Sequence, residues 1–292
     1  MTIAATAYHR PASLAEACAL GRDLGNDAVF LAGGTELVPD YHRGLEAARH
    51  LIALDTIEEL RGIRQEAGQL RIGALATVAQ VAASPLVRDW CPVLAEAARA
   101  IGSPQIRSRA TIGGNFCRAV PCADTPPAAV VAAARVRLAS PAGWREMEAE
   151  KFFIGPRQTV LQAGEVMAEI LVPAQPCHSG ASYQRFARRR GPALAVAAVA
   201  ARIHLVGAKV AGARIALGAV APVPLLATRA AAVLEGEDPT PELFAIAAAA
   251  SAEEALPIGD LRGTAAFRRE LVTVLARRAL GEAALRAGAH EG

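Results

Sequence analysis

The chain is poor in aromatic side chains, which make up only 4% of its 292 residues, although 53% are hydrophobic. Ala, Val and Leu supply that apolar content, so small side chains packed closely are expected and large stacking platforms for nucleic-acid bases are not. An excess of charge is also missing. The formal net charge is +3, and the basic residues that cluster, Arg185 and Arg188-Arg189-Arg190, form a local patch rather than the basic face of a nucleic-acid binder. Uncharged apolar runs such as residues 215–228 fall short of the roughly 18 residues of a membrane span. Met1-Thr2-Ile3-Ala4-Ala5 lacks the basic and apolar regions of an export signal, so a cytoplasmic location is expected. The five cysteines (Cys18, Cys91, Cys117, Cys122, Cys177) are an odd, scattered set unlike a disulfide framework. The six histidines (His9, His42, His50, His178, His204, His290) show no ligand spacing, so no metal site is expected in this chain. No Gly-x-Gly-x-x-Gly lies between a strand and a helix, and no glycine loop ends in Gly-Lys-Ser or Gly-Lys-Thr, which disfavours the Rossmann and P-loop cradles.

Two glycine-rich segments stand out instead: Ala32-Gly33-Gly34-Thr35-Glu36-Leu37 and Thr111-Ile112-Gly113-Gly114-Asn115-Phe116. Each follows apolar, β-favouring residues and reads as a strand breaking into a tight loop. Consecutive backbone N–H groups in such loops form a concave nest for phosphate oxygens, and the flanking Thr or Asn adds a side-chain donor. Either segment alone is also an ordinary turn. Together, two nests could grip one pyrophosphate.

Ser13 followed by Glu16 marks a capped helix start. Strands are expected at 28–32, 50–54 and 69–73, giving a βαβ-like opening unit. Residues 77–101 read as helix in two pieces around Ser84-Pro85, and Gln105 to Arg109 lead into the second glycine segment. Asp124-Thr125-Pro126-Pro127 before the apolar run 128–134 reads as an N-cap with proline in the first turn. Further strands are expected at 135–139 and 165–172. A domain boundary falls in Pro173-Ala174-Gln175-Pro176, giving domains 1–175 (subdomains of about 1–56 and 57–175) and 176–292. Beyond it, strands at 183–187, 194–206 and 209–220, with a hairpin at Val206-Gly207-Ala208, precede helices starting near Thr228, Thr240 and Thr264. Strands followed by helices argue an α+β domain with the helices on one face of an antiparallel sheet.

The chain resembles the FAD-binding medium subunits of the molybdenum hydroxylases, the flavoprotein subunits of carbon monoxide and xanthine dehydrogenases. Besides the glycine segments, the likeness rests on Tyr8-His9-Arg10-Pro11, Leu60-Arg61-Gly62-Ile63, Leu70-Arg71-Ile72-Gly73-Ala74, Ile106-Arg107-Ser108-Arg109-Ala110 and Ala123-Asp124-Thr125-Pro126-Pro127. Later landmarks are Leu217-Gly218-Ala219-Val220-Ala221-Pro222 and Phe267-Arg268-Arg269-Glu270-Leu271. The resemblance implies an FAD-binding fold of two α/β subdomains, of the PCMH/VAO type, followed by an α+β domain. It assigns cofactor contacts to residues 32–37 (Ala32, Gly33, Gly34, Thr35, Glu36, Leu37) and 111–115 (Thr111, Ile112, Gly113, Gly114, Asn115). Asp124 matches the acidic residue that hydrogen-bonds the ribityl region, beside its capping role. Arg185 and Arg188 match a region where a basic side chain lies near the flavin, a solvated charge run being the alternative. Glu36 stands where relatives commonly have Asp or Ser. Relatives that reduce aromatic thioesters carry an inserted cysteine-rich segment for an extra iron-sulfur cluster. Here that segment is missing, which leaves Cys117 and Cys122 as small residues beside the flavin or as a redox thiol pair.

The resemblance also implies the chemistry. Molybdopterin and [2Fe-2S] clusters would reside in a large and a small partner subunit, and FAD here would pass electrons to an acceptor such as NAD, a quinone or a ferredoxin. No catalytic acid, base or nucleophile is then needed in this chain, and none is evident. The alternatives are a stand-alone FAD-dependent reductase or oxidase of the same architecture, and a non-catalytic module whose flavin site has decayed. Carbon monoxide, purines, N-heterocycles, aldehydes and thioesters all stay open as substrates, because the substrate pocket would lie in another chain.

Overall fold

The computed structural model describes residues 7–189 and 191–288; the opening five residues, Arg190 and His290 lie outside them. The chain opens with β1 (Ala7–His9), α1 (Leu14–Leu24), β2 (Ala28–Leu31), α2 (Leu37–His42) and β3 (His50–Ala53). The strands form a parallel sheet in the order β1-β3-β2. Ser13 caps α1 as expected, its Oγ accepting from the Glu16 N–H at 3.2 Å, and the Glu16 carboxylate accepts in turn from Ala12 N at 2.7 Å.

A second lobe begins with β4 (Ile63–Glu66) and β5 (Gln69–Gly73). Six helices follow: α3 (Val78–Ala83), α4 (Pro85–Trp90), α5 (Pro92–Ala100), α6 (Pro104–Arg107), α7 (Ile112–Cys117) and α8 (Thr125–Val131). The chain returns through β6 (Arg135–Ser140), β7 (Gly143–Glu148), the short pair β8 (Phe153–Gly155) and β9 (Gln158–Thr159), and β10 (Val166–Pro173). The main sheet is antiparallel, in the order β4-β5-β10-β6-β7. Two expectations change here. The strand at 69–73 belongs to this sheet, opposite β10, and not to the opening unit. The helical stretch 77–101 breaks twice, because Cys91-Pro92 repeats the Ser84-Pro85 device of a proline in the first turn of a new helix.

The remainder comprises β11 (Ser179–Phe186), β12 (Ala197–Val206), β13 (Lys209–Gly218), β14 (Leu225–Leu226), α9 (Thr228–Ala232), α10 (Pro241–Glu254) and α11 (Ala265–Gly288). The strands form an antiparallel sheet in that order, with Gly207 (φ +57°) turning the β12–β13 hairpin. Alternation along β12 sorts the side chains onto two faces. Ala197, Val199, Ala201 and Ile203 join the core with α10 and α11, whereas Ala198 and Ala200 join the core of the second lobe, where α5 and α8 lie. The helices α9, α10 and α11 lie on one face of the sheet, as expected, and the other face is covered as well. Its second cover comes from the preceding domain, which a strand-then-helix order cannot reveal.

Candidate functional site

The two glycine segments, about 80 residues apart in sequence, meet across one cavity of about 320 Å³. Residues 32–37 form one wall; Thr111, Gly114 and Asn115 contribute to the other, with Ile101, Cys117 and Arg118 beside them. The first segment leaves β2 and turns through Gly34, whose φ of +71° is the left-handed region that favours glycine. Among the described residues, the backbone N–H groups of Gly33, Gly34, Thr35 and Glu36 have no protein acceptor. They are four consecutive donors beside an open cavity. Gly33 has a different reason to be glycine. A Cβ there would overlap the carbonyl of Arg109, so its missing side chain lets the two loops touch.

The second segment departs from expectation. It is not the end of a strand: Thr111 is the N-cap of α7, its Oγ1 accepting from Gly114 N at 3.1 Å. The N–H of Ile112 is bonded to Ala76 O at 3.0 Å, that of Gly113 to Ala74 O at 2.9 Å, and that of Asn115 to Thr111 O at 3.0 Å. No free nest exists there, since all four donors are consumed within the protein. Ile112 and Gly113 are buried behind the wall, and a Cβ on Gly113 would come within 2.6 Å of Ala74 Cβ. What this segment can present is side chain: Asn115, whose Oδ1 accepts from Thr125 Oγ1 at 2.5 Å, and Thr111.

Ion pairs tie the first loop to its surroundings. Arg118, just past α7, pairs with Glu36 at 3.1 Å and with the buried Asp40 of α2, which Arg157 also approaches at 3.5 Å. Glu36 thus ties its loop to the far wall.

Asp124 is the second correction. Its backbone is already helical (φ −81°, ψ −37°), and its side chain makes no capping bond to α8. The carboxylate instead faces β11. Tyr183 donates its hydroxyl to Oδ1 at 2.6 Å, and Arg185 Nη1 lies 3.4 Å from Oδ2. Burial pushes the Asp124 carboxyl above the usual range, while Arg185 and the Tyr183 hydroxyl pull it back. Burial and the neighbouring carboxylate hold the Tyr183 hydroxyl well above its ordinary value, so it stays a proton donor to the pair. Arg185 is fixed further by the carbonyls of Ala100 and Ala193. The cluster lies directly behind the cavity wall. Thr125, next to Asp124, bonds Asn115, and Ala100 precedes the lining residue Ile101. Arg188 is outside it: exposed, it donates to Leu261 O at 2.7 Å.

Family models match the chain over most of its length. That of the FAD binding domain in molybdopterin dehydrogenase covers residues 4–175, and that of the CO dehydrogenase flavoprotein C-terminal domain covers residues 181–283. The chain belongs to the FAD-binding medium subunits of the molybdenum hydroxylases. It is 38% identical over 276 residues to the carbon monoxide dehydrogenase medium chain of Hydrogenophaga pseudoflava, covering 94% of this chain and 96% of that one. It is 32% identical to the nicotine 6-hydroxylase medium subunit of Paenarthrobacter nicotinovorans, covering 98% and 100%. Among solved structures, carbon monoxide dehydrogenase from Hydrogenophaga pseudoflava lacking the Mo-pyranopterin moiety superposes with a TM-score of 0.94 at 39% identity, covering 98% and 99%. Quinoline 2-oxidoreductase from Pseudomonas putida 86 gives 0.91 at 32% identity, covering 98% and 99%.

The site fits the cofactor of an FAD-binding subunit. A pyrophosphate needs several donors without side chains in the way, and residues 33–36, two of them glycine, bring unspent N–H groups to the cavity lining. By sequence Tyr183 is only the start of the strand expected at 183–187. Its signal was its rarity, one of three tyrosines in the chain, next to the arginine cluster. All five cysteines are free, and burial pushes the Cys117 thiol up to about 12 and also raises that of Cys122, which disfavours the thiolate form of both. Cys117 packs its sulfur 3.8 Å from that of Met167. Among the described residues no helix is long and apolar enough to cross a membrane.

Proposed function

We propose that the chain is the electron-relay subunit of a heteromeric molybdenum hydroxylase, its FAD supplying the redox step between [2Fe-2S] centres and an external acceptor such as NAD, a quinone or a ferredoxin. The iron-sulfur centres belong to a small partner subunit and the molybdopterin to a large one. One observation carries the reading: a row of unspent backbone donors lies in the same cavity lining as the second glycine segment, in a chain that covers 96% of a carbon monoxide dehydrogenase medium chain. In this reading residues 32–37 bind the pyrophosphate through backbone N–H groups, and Thr111 and Asn115 add side-chain contacts from the opposite wall. Gly113 and Gly114 let α7 pack closely enough to form that wall. Asp124 accepts hydrogen bonds on the lone pairs that Tyr183 leaves free, and Arg185 holds a fixed positive charge that favours negative charge on a neighbouring ring.

The test is purification of the tagged chain from cells that express its partners, with flavin, iron and molybdenum assayed in the same fraction. FAD with both metals, and FAD alone when the chain is made by itself, is the expected result. The isolated chain should then leave carbon monoxide, xanthine, nicotine and glyceraldehyde unoxidised. Turnover of any of them without partners would replace this reading with a stand-alone flavoenzyme.

A further inference from the structure

A second cavity, of about 820 Å³, opens between the C-terminal sheet and the preceding lobe, and it shares no lining residue with the cavity between the glycine segments. Its volume is that of a small-molecule site. Trp90, Pro92, Ala132 and Pro176 make much of the wall apolar. The Trp90 indole N–H is committed to the carbonyls of Val172 and Pro173, at 3.1 and 3.2 Å, which pins the ring.

Arg202 on β12 is the unusual member of this wall. In the sheet it stands opposite Arg214, on the side occupied by Ala198 and Ala200. Arg214 has a counter-charge, Glu150 at 3.0 Å. Among the described residues Arg202 has none within ion-pair distance, and its protein partner is the neutral side chain of Gln175. The other cations of the wall are paired: Arg286 with Glu96 and Glu282, Arg88 with Asp89. Burial and the like charge of Arg214 draw the Arg202 guanidinium below its ordinary range, yet a guanidinium keeps its charge at neutral pH. A half-buried cation without a counter-ion is a cost to the fold that an anion in the cavity would relieve. Two further wall residues, His178 and Ser179, each hold a buried polar atom, Nδ1 and Oγ, with no partner among the described residues, and His178 sits at φ +57°.

We propose that this cavity binds a small organic carboxylate with a flat apolar body. The carboxylate pairs with the guanidinium of Arg202, whose fork matches two oxygens, and the body lies against Trp90 and the proline and alanine wall. A phosphate is a poorer match, because one unpaired guanidinium balances only half the charge of a dianion and the largely apolar wall would leave the rest desolvated.

The experiment titrates the full-length, FAD-loaded chain with benzoate, with its neutral isostere benzamide, and with inorganic phosphate, reading calorimetry and melting temperature. Benzoate is expected to bind saturably and raise the melting temperature, with benzamide and phosphate weaker by about tenfold or more. Arg202→Gln should weaken benzoate by a similar factor without lowering the ligand-free melting temperature, since it removes an unpaired charge. Arg202→Met serves the same purpose if the glutamine variant does not fold. Absence of benzoate binding, equal binding of benzamide, or undiminished binding by the variants would each overturn the proposal. The wild-type comparison of benzoate with benzamide decides the matter even without a variant.

Discussion

A methyl group at Gly33 would overlap the carbonyl of Arg109 and force the first loop away from the segment that leads into the second. Gly33→Ala is therefore expected to cost about 1–3 kcal/mol, as overpacking does, and to yield chain largely free of FAD. Thr111→Val, which removes the cap of α7, should cost about 1 kcal/mol and weaken FAD less. Flavin fluorescence titration and thermal denaturation of both variants check the contrast; equal flavin loss would mean that the second segment holds the pyrophosphate as strongly as the first. Residue types alone pointed to both glycine segments. They could not reveal that Ala74, Ala76 and Thr111 had already taken the donors of the second. Nor could local sequence show that Asp124 forgoes its cap, because the competing partners Tyr183 and Arg185 lie about 60 residues further on, a reach that only the folded chain sets.

Apolar strands such as β3, β5 and β10 were legible from their runs of buried residues, and capped helices such as α1 from Ser13 and Glu16. The strands β4 and β7 were not, because Ile63-Arg64-Gln65-Glu66 and Gly143-Trp144-Arg145-Glu146-Met147-Glu148 are largely exposed charge; they are held as edges of the sheet by pairing with β5 and β6. An ion pair then ties β7 to the turn before β10. Arg145 donates two bonds of 2.7 Å to the buried Glu165, whose Oε2 also accepts from Gln162 N at 2.8 Å. The Arg145 hydrogen bonds hold the Glu165 carboxyl below its ordinary range. A depressed carboxyl stabilises the fold above the unfolded value of about 4.3 and loses that contribution as pH falls through the lower folded value. Glu165→Gln should thus lower the melting temperature at pH 7 and narrow its difference from wild type as pH falls below about 4. A difference that stays constant with pH would show that the charge of Glu165 contributes nothing.

The chain stacks as layers held close by small residues, which the abundance of alanine and the scarcity of aromatics foretold. The partner of each layer was not legible, because α5 and α8, which cover one face of the C-terminal sheet, precede it by many residues and belong to the other domain's core. Gly180 marks how tight the opposite face is. A Cβ there would overlap the Ala283 carbonyl and crowd the Ala287 N–H of α11. Gly180→Ala should therefore displace α11 and cost about 1–3 kcal/mol while flavin content is kept, readable by denaturant melts beside the flavin spectrum. The central claim is that this folded chain holds FAD between its two glycine segments. It is tested most directly by the flavin content of the full-length chain purified alone, set beside that of Gly33→Ala at matched folding by circular dichroism. A yellow wild type with stoichiometric FAD and a folded but nearly colourless variant is the predicted result. A folded wild type that takes up no FAD, or a folded variant that keeps all of it, would contradict the account.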